Sequence, residues 1–275
     1  MALGRRVRIA VSRALIGRVG HLSNAIRLVR EYGMTAGKVT DYIYRNQPSG
    51  RGLIGKMIDR RFLAAPGCES VRVRRRHLEE LLAQAIGDLR ASGRAVSLVD
   101  IASGPASYIL CVMQQMGEHD LVVCCRDLDE RWLGEGRAEA LRRGLHHIRF
   151  ERGDAFDRDA LLAVRPRPNA VVSSGLYMWI NEDETVRRSL GLIFEALEPG
   201  GFAVVTNQMA QPDPELASAV AGNVRCQSPR MTMRPASQMH GWLEGIGFVL
   251  QRALVDSWGC HSVTKAHKPP RMEGR

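Results

Sequence analysis

The chain has 275 residues, 45% hydrophobic and 25% charged, with a formal net charge of +10. Such a length buries one large core with an appendage, or at most two domains, and the lack of any run of about 18 uninterrupted apolar residues argues against a membrane-spanning helix. Cys68, Cys111, Cys124, Cys125, Cys226 and Cys260 show neither a Cys-x-x-Cys pair nor regular spacing, which reads as reduced, buried thiols of a cytoplasmic protein and argues against a zinc site, so no metal is expected.

The charge is uneven. Residues 1–95 carry 19 Lys/Arg against 7 Asp/Glu, a net +12, and the remainder is slightly acidic. A basic first third can face solvent, phosphate, nucleic acid or an anionic membrane. Arg5, Arg6, Arg8 and Arg13 break up the N-terminus, so no hydrophobic signal segment is expected there.

In chain order, Leu15, Val19, Leu22, Ile26 and Val29 form one stripe of an amphipathic helix flanked by Arg13, Arg18, Arg27 and Arg30. Such a stripe packs on the main domain or lies on a membrane surface. The segment Asp41–Gly50 is dense in aromatic and polar groups and ends in a Pro-Ser-Gly turn. Its Arg45 offers a bidentate partner to a carboxylate, and Tyr42 and Tyr44 can hydrogen-bond, stack or anchor the segment. A second helix is expected from an N-cap at Ser70, with Leu78, Leu81, Leu82, Ala85, Ile86 and Leu89 on one side. Arg72, Arg74, Arg75, Arg76 and His77 would then crowd its first turns, an unfavourable place for cations that hints at an anionic partner.

From residue 96 to 264 the pattern alternates. Strands are expected at Val96–Asp100, Leu121–Cys125, Ile148–Glu151, Ala170–Ser174, Phe202–Asn207, Phe248–Val255 and Cys260–Lys265, with helices near 106–116, 129–143, 157–164, 182–198, 214–222 and 236–246. That alternation predicts an α/β fold with a doubly wound, mainly parallel seven-stranded sheet, its ligands bound at the carboxyl ends of the strands. Asp256-Ser-Trp-Gly joins the last two strands as an antiparallel hairpin. The expected division is an N-terminal helical, basic cap region over 1–94, a Rossmann-like domain over 95–265 and a flexible tail over 266–275.

Val96–Leu110 organises the whole. An apolar strand ends in Asp100, and Ala102, Ser103, Gly104 and Ala106 follow before a helix begins. Small residues there let backbone approach a ligand. One glycine does not make a dinucleotide fingerprint, and no phosphate loop occurs. The second strand ends in Asp127-Leu128-Asp129, where a carboxylate can accept both hydroxyls of a ribose. The third is followed by Gly153-Asp154-Ala155-Phe156, with an acceptor for an adenine amino group and an apolar ring to cover the base. The fourth ends in Ser173-Ser174-Gly175-Leu176-Tyr177-Met178-Trp179, and the fifth, after Glu198-Pro-Gly-Gly201, in Thr206-Asn207-Gln208.

These residues resemble the class I S-adenosylmethionine-dependent methyltransferases, through the Asp-x-Ala-x-Gly turn, the acidic end of strand two, Gly-Asp-Ala and the Pro-Gly-Gly hairpin. Asp-Tyr-Ile-Tyr-Arg-Asn-Gln-Pro-Ser-Gly, Arg-His-Leu-Glu-Glu-Leu-Leu, Val-Val-Ser-Ser-Gly-Leu-Tyr and Thr-Asn-Gln resemble more narrowly a bacterial methyltransferase subgroup often fused behind an α/β-hydrolase. No Gly-x-Ser-x-Gly nucleophile elbow occurs in this chain. The resemblance implies S-adenosyl-L-methionine as cofactor, with Ala102, Ser103 and Gly104 bordering its methionine part, Asp127 its ribose, Asp154 and Ala155 its adenine, and Ser174 and Gly175 closing the site near the methyl group. Tyr44, Arg45, Asp100, Leu128 and Phe156 complete the expected cofactor set. Where the subgroup continues His-Gly-Arg-Tyr, this chain has Pro105-Ala-Ser-Tyr108, and the proline removes one N–H and fixes φ.

Methyl transfer from a sulfonium is an in-line displacement, so the protein need only align the acceptor, exclude water and, where required, take a proton. Tyr177 is the expected catalytic residue, and Tyr177, Trp179, Asn207 and Gln208 the expected acceptor contacts; His77, His146 and His147 are base candidates by residue type alone. The expected acceptor is a small molecule or a lipid head group, with peripheral membrane contact through the basic N-terminal region. RNA methylation, weakened by 5% aromatics and no RNA-binding module, and a cofactor-binding scaffold without turnover are the competing readings.

Overall fold

The computed structural model describes residues 18–33, 37–117, 120–211 and 231–270. Leu15, Cys226, the helix expected at 214–222 and the last five residues of the expected tail lie outside them. The chain divides into two compact units, residues 1–73 with 211–230, and residues 74–210 with 231–275.

The described part of the first unit is helical. Helices α1 (Asn24–Tyr32), α2 (Gly37–Arg45) and α3 (Gly52–Leu63) precede the long α4 (Pro66–Ala91), within which the division between units falls. Ile26 and Val29 of α1, Val39, Tyr42 and Ile43 of α2 and Phe62 and Leu63 of α3 share one small core. Asp59 of α3 is fully buried at its centre and accepts from Ser23 Oγ at 2.5 Å, Ala25 N at 3.1 Å, Tyr42 Oη at 2.5 Å and Ser49 N at 3.0 Å. Four donors answer one buried carboxyl group, which makes its burial tolerable. Burial, reinforced by the Asp59 bond, raises the Tyr42 phenol above its ordinary value. Tyr42 is thus an anchor. Backbones also meet closely here: a Cβ on Gly55 would lie 2.3 Å from the Leu22 carbonyl oxygen.

Two expectations are corrected. Helix α4 begins at Pro66, where a missing N–H costs nothing, and Ser70 lies buried inside it rather than at its cap. Arg72, Arg74, Arg75, Arg76 and His77 are therefore beyond the first turn, and the unfavourable-dipole argument for an anionic partner falls with the cap. Helix α3 was missed because Gly52, Gly55 and a mixed polar pattern blur its periodicity.

The second unit is the expected sheet. Strands β1 (Val96–Ile101), β2 (Leu121–Asp127), β3 (Ile148–Arg152), β4 (Ala170–Ser173), β5 (Phe202–Gln208), β6 (Val249–Val255) and β7 (His261–His267) lie in the order β3-β2-β1-β4-β5-β7-β6. The first five are parallel, and β7 runs antiparallel to both β5 and β6. Ala266 and His267, assigned to the tail by pattern, complete β7.

Alternation along each strand feeds two cores. On one face Val96, Leu98, Leu121, Val123 and Val172 pack with α4, α5 (Ser107–Met116) and α6 (Glu130–Arg142). On the other, Val99, Ile101, Val171, Ala203 and Val205 pack with α7 (Arg158–Leu162), α8 (Asp183–Ala196) and α9 (Ala236–Ile246). Helices on both faces place a topological switch between β1 and β4, and the ligand crevice of such a sheet opens there.

Candidate active site

The turn after β1 is shaped by backbone rather than by side chains. Ala102, Gly104 and Ala106 all have positive φ, at 56°, 55° and 54°, and only the glycine adopts this region without strain. A Cβ on Gly104 would meet nothing within 4 Å, so the turn faces open space. Ser103 N donates to the Arg126 carbonyl at 2.9 Å and Ala106 N to that of Ser103 at 3.0 Å. Helix α5 follows with no side-chain cap.

Asp127 ties this turn to the next. Its Oδ2 accepts from Gly104 N at 2.8 Å and its Oδ1 from Asp129 N at 2.9 Å. Each oxygen keeps acceptor capacity for a ligand hydroxyl. Beside it Leu128 is 58% exposed, an apolar side chain left bare at a strand end. Asp100 is wholly buried at the end of β1. Its Oδ2 accepts from Tyr108 Oη at 2.6 Å, while its Oδ1 has no partner among the described residues. Burial, opposed by the Tyr108 bond and reinforced by Asp127, holds this carboxyl well above the usual range. After β3, exposed Asp154 accepts from Phe156 N at 2.9 Å, with Ala155 buried and Phe156 half-buried beneath. The Arg126 guanidinium lies close above Gly153, 2.5 Å from where a Cβ would stand, so glycine leaves that side chain its place.

On the far side of the switch, Gly175 N donates to Thr206 Oγ1 at 2.9 Å. The buried Arg74 guanidinium lies against Gly175, at 3.7 Å from a Cβ built there. The sequence matches the profile of a family described as "Putative methyltransferase" over residues 3–268. The chain belongs to this methyltransferase family. A relative, the uncharacterized protein YnbC of Escherichia coli (strain K12), is 34% identical over 250 residues, covering 90% of this chain and 42% of the relative, so the chain spans less than half that protein's length. The fold is shared with a "possible exported protein" from Bordetella parapertussis at a TM-score of 0.71 and 20% identity, covering 97% of this chain and 88% of that one. It is shared also with magnesium protoporphyrin IX methyltransferase (ChlM) from Synechocystis PCC 6803 with bound SAH, at a TM-score of 0.56 and 14% identity, covering 88% and 99%.

Several residues of the chain stand elsewhere than expected. Tyr177 is 1% exposed, and its hydroxyl meets Ser189 Oγ at 3.0 Å inside the core. Burial pushes that phenol up to about 12, and its side chain faces the core here rather than the acceptor side expected for it. Asn207 is committed, its Nδ2 donating to the Arg234 carbonyl at 2.7 Å, and buried Gln208 donates to that of Ala210 at 3.3 Å. Trp179 is half-buried in a 3-10 turn, Tyr177–Trp179. In the first unit Tyr44 is half-buried, and exposed Arg45 pairs with Asp41 one helical turn before it at 2.7 Å. His146 and His147 are exposed just before β3, at the amino end of the strands, remote from the ligand edge.

Two residues escaped the sequence. Arg234, 2% exposed, donates to Asp183 at 2.8 Å and to the Tyr177 and Ile180 carbonyls at 2.8 Å each, fixing the loop after β4. His261 begins β7 opposite Gln208 and is 4% exposed; its backbone N–H donates to Asp256 at 2.5 Å, and its imidazole lies 3.7 Å from the same carboxylate. A charged residue in a loop and a histidine at a strand start carry no periodic signal, so neither could be found from pattern alone.

Proposed function

We propose that this methyltransferase takes its methyl group from S-adenosylmethionine, held over the ends of β1, β2 and β3, and delivers it to an oxygen or nitrogen of a small-molecule or lipid-head-group acceptor arriving over β4 and β5. The observation that carries this is the Asp127 carboxylate fastened to two turns by Gly104 N and Asp129 N, next to buried Asp100, whose Oδ1 has no partner among the described residues. The Asp127 carboxylate and the open acceptor oxygen of Asp100 suit a ligand with a hydrogen-bond-donating end, and the open turn at Gly104 lets a bulky tail lie along the backbone. Asp127 would accept from the ribose and Asp154 from the adenine, with Leu128, Ala155 and Phe156 against the ring; Ala102, Ser103, Gly104 and Asp100 would border the methionine part. When bound, the cofactor supplies an electrophilic methyl on a sulfonium. The chain's task is alignment and exclusion of water, with Ser174, Gly175 and Trp179 lining the acceptor side, and this reading uses neither Tyr44 nor Arg45.

Calorimetric titration of the wild type and of Asp127→Ala with S-adenosylmethionine is the direct test. Micromolar binding is expected, weakened at least about tenfold in the variant, which is about 1.4 kcal/mol. Transfer of labelled methyl to the lipid or small-molecule fraction of a cell extract then identifies the acceptor class. A well-folded wild type that neither binds nor co-purifies with the cofactor overturns the proposal.

A further inference from the structure

Helix α3 carries a surface that the described residues of its own unit leave exposed. Leu53, Ile54 and Met57 are 89%, 50% and 64% exposed, so three of the ten large hydrophobics exposed among the described residues fall within five positions. At 100° per residue Leu53 and Met57 share the centre of the outer face with Ile54 to one side. Arg51, Lys56, Arg60 and Arg61 are exposed around them. The helix's sole acid, Asp59, points inward and is fully buried. Gly55, Phe62 and Leu63 make the opposite, buried face.

We infer that α3 docks this chain on an anionic lipid bilayer, with Leu53, Ile54 and Met57 entering the head-group boundary and the four cations meeting lipid phosphates. An exposed apolar cluster ringed by cations and free of exposed acid has the chemistry of an interfacial helix. A second copy fits less well, because a two-fold contact would set the same cations against each other. Stacking on nucleic acid would need aromatic side chains, and the exposed face has none. Of the stripe that the sequence offered for packing or membrane contact, Ile26 and Val29 lie in α1 and belong to the unit's core, 2% and 0% exposed.

The test is co-sedimentation of the full chain with vesicles of phosphatidylcholine alone or mixed with phosphatidylglycerol. Binding to the mixed vesicles only is expected, weakened about tenfold or more by Leu53→Gln with Met57→Gln and similarly by Lys56→Gln with Arg60→Gln, the latter removing most of the salt dependence. Hydrogen exchange of the wild type supplies a readout independent of any variant: residues 52–63 should gain protection when anionic vesicles are added. Absence of binding to anionic vesicles, binding unchanged in both double variants, or a concentration-dependent dimer abolished by Leu53→Gln with Met57→Gln would overturn the inference.

Discussion

Asp100 shows how a single side chain trades stability for a site. Its carboxyl resists ionisation in the native state because burial outweighs the Tyr108 bond, whereas in the unfolded chain it ionises near pH 4. Native stability therefore falls as pH rises through the unfolded value toward the raised native one. Asp100→Asn keeps an acceptor for Tyr108 and removes that term, so its Tm at pH 8 should exceed the wild type's, by about 2–4 °C per kcal/mol gained, while its affinity for S-adenosylmethionine drops; a lower Tm with unchanged circular dichroism would show the ionised form to be structural. His261 works from the acid side. Burial brings its imidazole down to about 4, so below about pH 6.5 the unfolded chain takes up a proton that the native one refuses, and stability should decline from there until about pH 4. The full loss is on the order of 3 kcal/mol. Urea unfolding of His261→Gln between these pH values should show a shallower decline; an unchanged slope would assign the acid sensitivity to other groups.

At the scale of elements, a glycine can set how closely two segments of backbone meet. Gly55→Ala would push a methyl into the Leu22 carbonyl, costing about 1–3 kcal/mol of stability that thermal unfolding should report. Asp59→Ala is harsher, since four donors lose one acceptor, and about 3 kcal/mol or more is expected. Much of the architecture was legible because buried strands and amphipathic helices write their period into hydrophobicity. All seven strands fall within two residues of their expected bounds, and the ends of β1, β2 and β3 carry Asp100, Asp127 and the Asp154 turn where the pattern placed them. What was not legible depends on direction and partner. Tyr177 sits at a strand end, as an acceptor residue would, yet its side chain turns to Ser189, and no spacing rule encodes that rotation. Ser70 has the chemistry of a cap, but Pro66 starts the helix earlier. The left-handed turns at Ala102 and Ala106 leave no trace in residues that normally avoid them.

Over the whole molecule, two units with separate cores should respond to separate perturbations. S-adenosylmethionine at a hundred times its Kd adds about 2.7 kcal/mol to whatever folds around it, so exchange of amides in β1–β5 should slow on its addition, while Asp59→Ala should speed exchange in α1–α3; cofactor protection confined to α1–α3 would move the site to the first unit. No described helix is long and apolar enough to cross a membrane. The order of the sheet has one more outcome, in the time taken to make it. Strand β7 is the last of the seven to leave the ribosome, yet it lies between β5 and β6 and gives β5 its second partner. Until it arrives the hydrogen-bonding edge of β5 is bare, an open invitation to pair with another nascent chain. Translation halted before Cys260 should therefore yield aggregating polypeptide even though every turn proposed to touch the cofactor has already been synthesised.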